Sequence, residues 1–182
     1  MTALVVALVG TDHHPFDRMV HWIDAAATRH RDVDFVVQHG ATRPPLVAEA
    51  YAYLGQDRLV ELLVAASVVV CHGGPGTIAD AREAGHVPLC VPRDPALGEH
   101  VDGHQQRFAR VVGEIGVVRE VRSRETFELE LDRALRQPPR LGRTTTTSRL
   151  REAARARAAA ELDEMLTAGR PHLLGRRNHA HR

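Results

Sequence analysis

Apolar residues gather into short unbroken runs at 4–9, 33–37, 67–71 and 87–91. Unbroken runs, unlike alternating ones, mark strands covered on both faces, as in a parallel sheet held between helical layers. Between the runs, residues 16–27, 57–65, 77–84 and 104–112 carry apolar side chains at helical spacing, and an apolar pair at 117–118 precedes a last helical stretch at 127–135. Strand alternating with helix predicts a doubly wound α/β domain. Residues 46–54 follow Pro44 and Pro45 and fit either a short edge strand or an irregular connection.

Beyond residue 137 the pattern changes. Pro138, Pro139 and a threonine run at 144–147 read as a linker over 138–147, followed by an alanine- and arginine-rich helix over 148–168 and a frayed tail over 169–182. The helix carries Leu150, Ala154, Ala158, Leu162 and Met165 on one stripe, which suits docking to a partner or packing on its own domain. Residues 1–137 are then one α/β domain, a length that buries a workable core.

The formal charge of +1 is spread along the chain, which argues against a nucleic-acid surface. All 24 basic residues are arginine, so a Walker-type phosphate loop with its lysine is excluded. Cys71 and Cys90 each end an apolar run and read as reduced buried thiols in a cytoplasmic protein. The apolar opening at residues 1–10 is too short to cross a bilayer and has no basic leader. His172, His179 and His181 lack the spacing of a structural metal site, and no metal is expected.

In a doubly wound sheet, ligands bind where strand ends run into helix N-termini, because unpaired N–H groups and the helix dipole meet there. The loop Gly10, Thr11, Asp12, His13, His14, Pro15, Phe16, Asp17 is one such place, although a tight turn capped by Asp17 or Thr11 explains it equally. The loop Cys71, His72, Gly73, Gly74, Pro75, Gly76, Thr77 is another, with three glycines that free backbone amides to face an anion. Asp80 follows Thr77 by three residues, one helical turn deeper, where a carboxylate can accept from ribose hydroxyls or simply be solvated. A third cluster runs Glu99, His100, Val101, Asp102, Gly103, His104, Gln105, Gln106. Asp102 and Gln105 fit either ligand binding or a capping box.

These three elements, in this order, resemble the donor-binding half of family 28 glycosyltransferases. They are most similar to its small single-domain catalytic subunits of bacterial exopolysaccharide and eukaryotic dolichol-linked N-acetylglucosamine transfer. In such subunits the first loop reads GTH, two variable residues, then PFDRL, and Gly10 to Met19 stand in its place, with Asp12 and Met19 departing. HGGPGT is similar to the family's HxGxGS or HxGxGT element, with Asp80 where larger relatives have a ribose-binding glutamate. The run from Glu99 to Gln105, EHVDGHQ, is similar to EHVDNHQ, with Gly103 replacing asparagine. The likeness spans residues 4–118.

The resemblance implies the carboxyl-terminal, Rossmann-like half of a GT-B enzyme that moves a sugar with inversion from a UDP-sugar to a lipid-linked acceptor. Its implied substrate-binding residues are Gly10, Thr11, Leu54, His72, Gly73, Gly74, Gly76, Thr77, Asp80, Glu99, His100, Asp102 and Gln105, with Leu54 near the uracil ring. His72 is the residue expected to help stabilise the leaving diphosphate, and His14 is a candidate base. The acceptor groove is expected from a separate membrane-associated partner that recruits this chain to the inner face of the membrane, and no cofactor is expected. The competing expectations are a non-catalytic nucleotide-sugar-binding module and an epimerase or hydrolase fragment.

Overall fold

The computed structural model describes residues 2–138. The expected linker beyond residue 138, the helix after it and the tail lie outside that range. The described chain runs β1 (Ala3–Leu8), α1 (Asp17–Arg29), β2 (Val33–Gln38), β3 (Glu49–Tyr51), α2 (Gln56–Ala65), β4 (Val68–His72), α3 (Pro75–Glu83), β5 (Leu89–Val91), a 3-10 turn at Pro95–Leu97, α4 (His104–Glu114), β6 (Arg119–Glu120) and α5 (Arg124–Arg136). The strands form one six-stranded sheet in the order β3-β2-β1-β4-β5-β6, every pair parallel.

The unbroken apolar runs are explained by which helices they meet. Side chains alternate across a strand, so Val5, Ala7 and Val9 join Phe16, Met19, Ile23, Phe127 and Leu131 in one layer with α1 and α5. Val6 and Leu8 point the other way, into Leu62, Leu63 and Ala81 of α2 and α3. Cys71 and Cys90 are register partners on β4 and β5, and with Ile78, Ala109 and Val118 they make a third cluster under α4. Both thiols are free and buried, and the contact with Cys90, then burial, push the Cys71 pKa up, so it stays protonated.

Residues 46–54 resolve into both expectations: an irregular stretch, then the three-residue edge strand β3. The pair at 117–118 is not the strand. Arg119 and Glu120 pair with Leu89 and Cys90, while the Val117 amide donates to Val112 O at 2.8 Å to close the end of α4. The expected cap of α1 is also absent. Phe16 occupies the N-cap position without a side-chain cap, and its own amide donates to Thr42 Oγ1 at 3.0 Å, so a loop from the neighbouring strand fixes the entry to α1 without capping it. By contrast, Ser123 caps α5 by accepting from the Thr126 amide.

The order of strands places the switch in winding direction between β1 and β4, where the loops that follow them diverge and leave a crevice. Phe127, fully buried and tilted against Trp22 at 5.8 Å, ties α5 to α1 beneath the sheet. Phe127→Ala is expected to cost about 3 to 5 kcal/mol through lost burial and the cavity left behind. Urea denaturation followed by far-UV circular dichroism measures this.

Candidate functional site

Three loops meet at the carboxyl edge of the sheet: that after β1, that after β4 and that after β5. Their close fit depends on glycine. A Cβ on Gly10, which has φ +92°, would lie 2.7 Å from His72 Cε1, and one on Gly74 would lie 2.2 Å from His72 Nε2. The His72 ring is therefore clasped between two backbones. Gly73 packs against Gln105, and a Cβ on Gly40 would fall 2.3 Å from Gly10 O. Gly76 alone of the three glycines in the second loop has open space around it. The glycines expected to admit an anion thus divide: Gly73 and Gly74 accommodate protein side chains, and Gly76 faces outward.

α3 begins at Pro75, with Gly74 as an N-cap that offers no side chain. Proline at the first helical position has no N–H to leave unpaired, so the amides of Gly76 and Thr77 and the positive end of the helix dipole remain open at the crevice. Asp80 lies one turn deeper, half-buried. It has no side-chain hydrogen bond among the described residues, and burial, then the Glu83 charge, raise its pKa. His72 is largely enclosed. Desolvation, reinforced by the nearby Arg93 charge, lowers its pKa to about 4, so the ring is neutral near pH 7 and brings no charge to a ligand.

The loop after β5 is organised by a residue the sequence reading did not single out. Arg93 is fully buried. Its Nη1 donates to His14 O at 2.7 Å and Glu99 O at 2.9 Å, and its Nη2 donates to Val9 O at 3.0 Å. Its guanidinium carbon lies 4.8 Å from the Phe16 ring centroid. Burial lowers its pKa, and the charges of Asp12 and Glu99 oppose that shift. One buried cation thus joins the first and third loops. The signal was an arginine directly after the buried β5 run and Pro92, where a solvated residue was the default expectation.

Glu99, expected to contact ligand, is instead committed inward. Its carboxylate accepts from Arg18 Nε at 2.8 Å, Arg18 Nη2 at 2.7 Å and the Asp94 amide at 2.7 Å, and the residue is 4% exposed. Gln105 is also buried, with Oε1 accepting from the Arg93 amide at 3.4 Å. That corrects the capping-box reading: Gly103 is the N-cap of α4, Asp102 Oδ1 accepts from the His104 amide at 2.9 Å, and Gln105 turns under Gly73 rather than back along the helix.

Histidines and carboxylates line the mouth. His14 donates from its amide and from Nδ1 to Asp12 Oδ1, at 2.7 and 2.6 Å, and His100 Nε2 lies 3.3 Å from Asp12 Oδ2. His14 and His100 stack at 5.8 Å, and His100 meets His104 edge-on at 4.6 Å. Hydrogen bonds from the His14 amide and ring hold the Asp12 pKa down at about 2 against the opposing effect of burial. Asp12, His13 and His14, and separately His100, Asp102 and His104, bring potential cation ligands within 4.8 Å of one another. Both carboxylates, however, are already engaged as acceptors from imidazole and amide.

The structure therefore brings Gly10, His14, His72, Gly73, Gly74, Glu99, His100 and Gln105 into one assembly, with Gly76, Thr77 and Asp80 on the adjoining helix and the exposed Thr11 and Asp102 at its rim. Leu54 stands on a different strand end. It follows β3, two strands from β1, and packs on the Leu62 and Leu63 cluster. No helix among the described residues is long and apolar enough to cross a membrane.

Two consequences are measurable. Glu99→Ala leaves Arg18 and its neighbours facing an uncompensated site and is expected to cost about 3 to 5 kcal/mol, with part regained when Arg18→Met is added, as a double-mutant denaturation cycle will show. His72 takes a proton more readily unfolded than folded, since its pKa falls from 6.5 to about 4 on folding. Its stabilising contribution is complete above pH 6.5 and is lost as the pH falls toward 4, a change on the order of 3 kcal/mol. His72→Gln should flatten that limb of stability against pH in urea titrations.

With this geometry in view, comparison with known proteins is specific. No curated protein matched the chain. Among solved structures, the calicheamicin glycosyltransferase is similar with a TM-score of 0.54 and 18% identity, over 93% of this chain and 43% of that one. The kitacinnamycin glycotransferase is similar with a TM-score of 0.58 and 18% identity, over 90% of this chain and 43% of that one. At that identity the likeness is one of fold, and this chain spans less than half of either neighbour. The model of the glycosyltransferase family 28 C-terminal domain matches residues 4–162, most of the sequence, and the chain belongs to that family.

Proposed function

We propose that this chain is the donor-binding, catalytic subunit of an inverting glycosyltransferase that takes a UDP-sugar and passes the sugar to a lipid-linked acceptor in polysaccharide synthesis. The observation that carries the reading is the open N-terminus of α3 at the β1/β4 switch, where, among the described residues, the amides of Gly76 and Thr77 and the Asp80 carboxylate one turn deeper have no partner. Amides at a helix end suit a diphosphate, and a carboxylate one turn on suits vicinal ribose hydroxyls. The donor's leaving group becomes more negative as the bond from the anomeric carbon to phosphate breaks, so fixed donors aimed at it lower the barrier.

In this reading the sugar is N-acetylglucosamine or another hexose, no cofactor takes part, and the groove and base for the acceptor come from a membrane-associated partner that draws this chain to the cytoplasmic face. Thr11 and Gly10 border the diphosphate, and His100 and Asp102 lie toward the sugar, while Gln105 acts indirectly by packing under Gly73. Glu99 acts indirectly, by holding Arg18 and the loop amide of Asp94. The span of 43% of each structural neighbour also fits a module that binds nucleotide sugar without turnover. Recovery of transfer activity on adding the partner separates the two.

Calorimetry with UDP-N-acetylglucosamine should show binding, weakened by about 1 to 3 kcal/mol in Asp80→Ala from the lost ribose hydrogen bonds. Unchanged affinity in that variant would remove Asp80 from the site.

A further inference from the structure

The histidines without metal-site spacing are those of the tail. At the mouth of the crevice a different set arrives on two loops that only folding brings together. Three imidazole nitrogens converge there on one carboxylate. His13 Nδ1 lies 3.6 Å and His14 Nδ1 2.6 Å from Asp12 Oδ1, and His100 Nε2 lies 3.3 Å from Asp12 Oδ2. Ligands set tetrahedrally about a zinc ion at its usual bond lengths stand roughly 3.3 Å apart, and the three separations fall on either side of that value. Among the described residues no arginine lies within ion-pair distance of Asp12, since the Nη atoms of Arg93 are spent on the carbonyls of Val9, His14 and Glu99.

The backbone behind these side chains is already fixed. One nitrogen, Arg93 Nη1, holds His14 O at 2.7 Å and Glu99 O, one residue before His100, at 2.9 Å, so a cation entering here has little chain left to order. The hydrogen bonds also allow the exchange. Moving the His14 ring proton from Nδ1 to Nε2 frees the Nδ1 lone pair for a metal, and Asp12 Oδ1 keeps its bond from the His14 amide at 2.7 Å. His100 binds through Nε2 and carries its proton on Nδ1. It gives up the 3.4 Å contact from the Asp102 amide and turns that proton toward Asp102 Oδ1, 4.0 Å away, the carboxylate that commonly backs a metal-bound imidazole. The neighbouring trio of His100, Asp102 and His104 is less suited, because Asp102 and His104 are exposed and it joins no second loop.

We propose that Asp12, His14 and His100, with the exposed His13 as a fourth arm, bind one divalent ion of the zinc class, which ties the loop after β1 to the loop after β5 from the solvent side. Arg93 ties the same two loops from within. A set of imidazoles with a single carboxylate suits zinc, nickel or copper and is poor in the oxygen ligands that magnesium and calcium require. The ion is a clamp on the mouth of the crevice and takes no part in a bond-making step. This site goes beyond the nucleotide-sugar reading and does not rest on it.

The test is calorimetric titration of zinc chloride into the full chain, without an affinity tag, stripped of metal with EDTA and dialysed, at pH 7.5 with no nucleotide present. One tight ion per chain is expected, retained when His172→Asn, His179→Asn and His181→Asn are introduced together, while magnesium chloride gives no binding. Asp12→Asn, His14→Gln and His100→Gln should each weaken zinc by more than about tenfold, the least that losing even a supporting residue costs, and His104→Gln should keep it. Cobalt(II) in the same site is expected to show the visible absorption of a four- or five-coordinate ion, lost in His100→Gln. Zinc should raise the thermal midpoint of the unaltered chain and not that of His100→Gln. Circular dichroism of the metal-free variants confirms that they fold. No zinc binding, binding that disappears with the tail histidines, binding kept in His14→Gln but lost in His104→Gln, or magnesium bound as tightly as zinc would overturn the proposal, and each leaves the donor site standing. Failure of UDP-N-acetylglucosamine to bind a chain that still takes zinc would remove the donor reading alone.

Discussion

Everything at the carboxyl edge of this sheet hangs on one guanidinium buried where water cannot reach it. A desolvated cation is tolerable only with acceptors arranged about it, and Arg93 finds them in the carbonyls of Val9, His14 and Glu99 and in the face of Phe16. Its Nε has no partner among the described residues, so even this arrangement is incomplete. Because those acceptors belong to two loops far apart in sequence, satisfying Arg93 is the same event as docking the loops. Glu99 and Arg18 extend the constraint to α1.

Such a scaffold separates holding from binding. The charged side chains with the best geometry are turned inward, where they fix the loops, and the surface offered to a ligand consists of backbone amides, a helix end, a hydroxyl, imidazoles and exposed carboxylates. A site of this kind is shaped before the ligand arrives and stays near electrical neutrality while empty. It avoids the repulsion and non-specific anion binding that a row of uncovered arginines would bring.

Much of the fold was legible because its physics is local. Unbroken apolar runs gave β1, β2, β4 and β5, and helical spacing gave the helices between them, since burial on both faces or on one stripe writes itself directly into residue order. The shortfalls are tertiary. β6 sits one residue beyond the apolar pair at 117–118 because its register follows β5, and the entry to α1 is held by Thr42 rather than by a flanking side-chain cap. At the site, the glycine loop and Asp80 were visible as pattern, and the resemblance to family 28 ordered the three elements. The inward turn of Glu99 and Gln105 was not visible, because both match a ligand-facing motif and a buried strut equally well. Arg93 was hidden for the opposite reason: nothing in one dimension distinguishes a buried arginine from a solvated one.

The clasp of His72 between Gly10 and Gly74 has a wider meaning for how this loop can change over generations. Glycines around one crevice answer to different judges. At 10 and 74 any side chain collides with the protein itself, so selection there acts on the ability to fold, whatever the substrate. At 76 the neighbourhood is empty, and a side chain would be noticed only by whatever molecule comes to rest there. The crevice therefore has an open door at one glycine and closed doors at the other two, although the three are indistinguishable by composition.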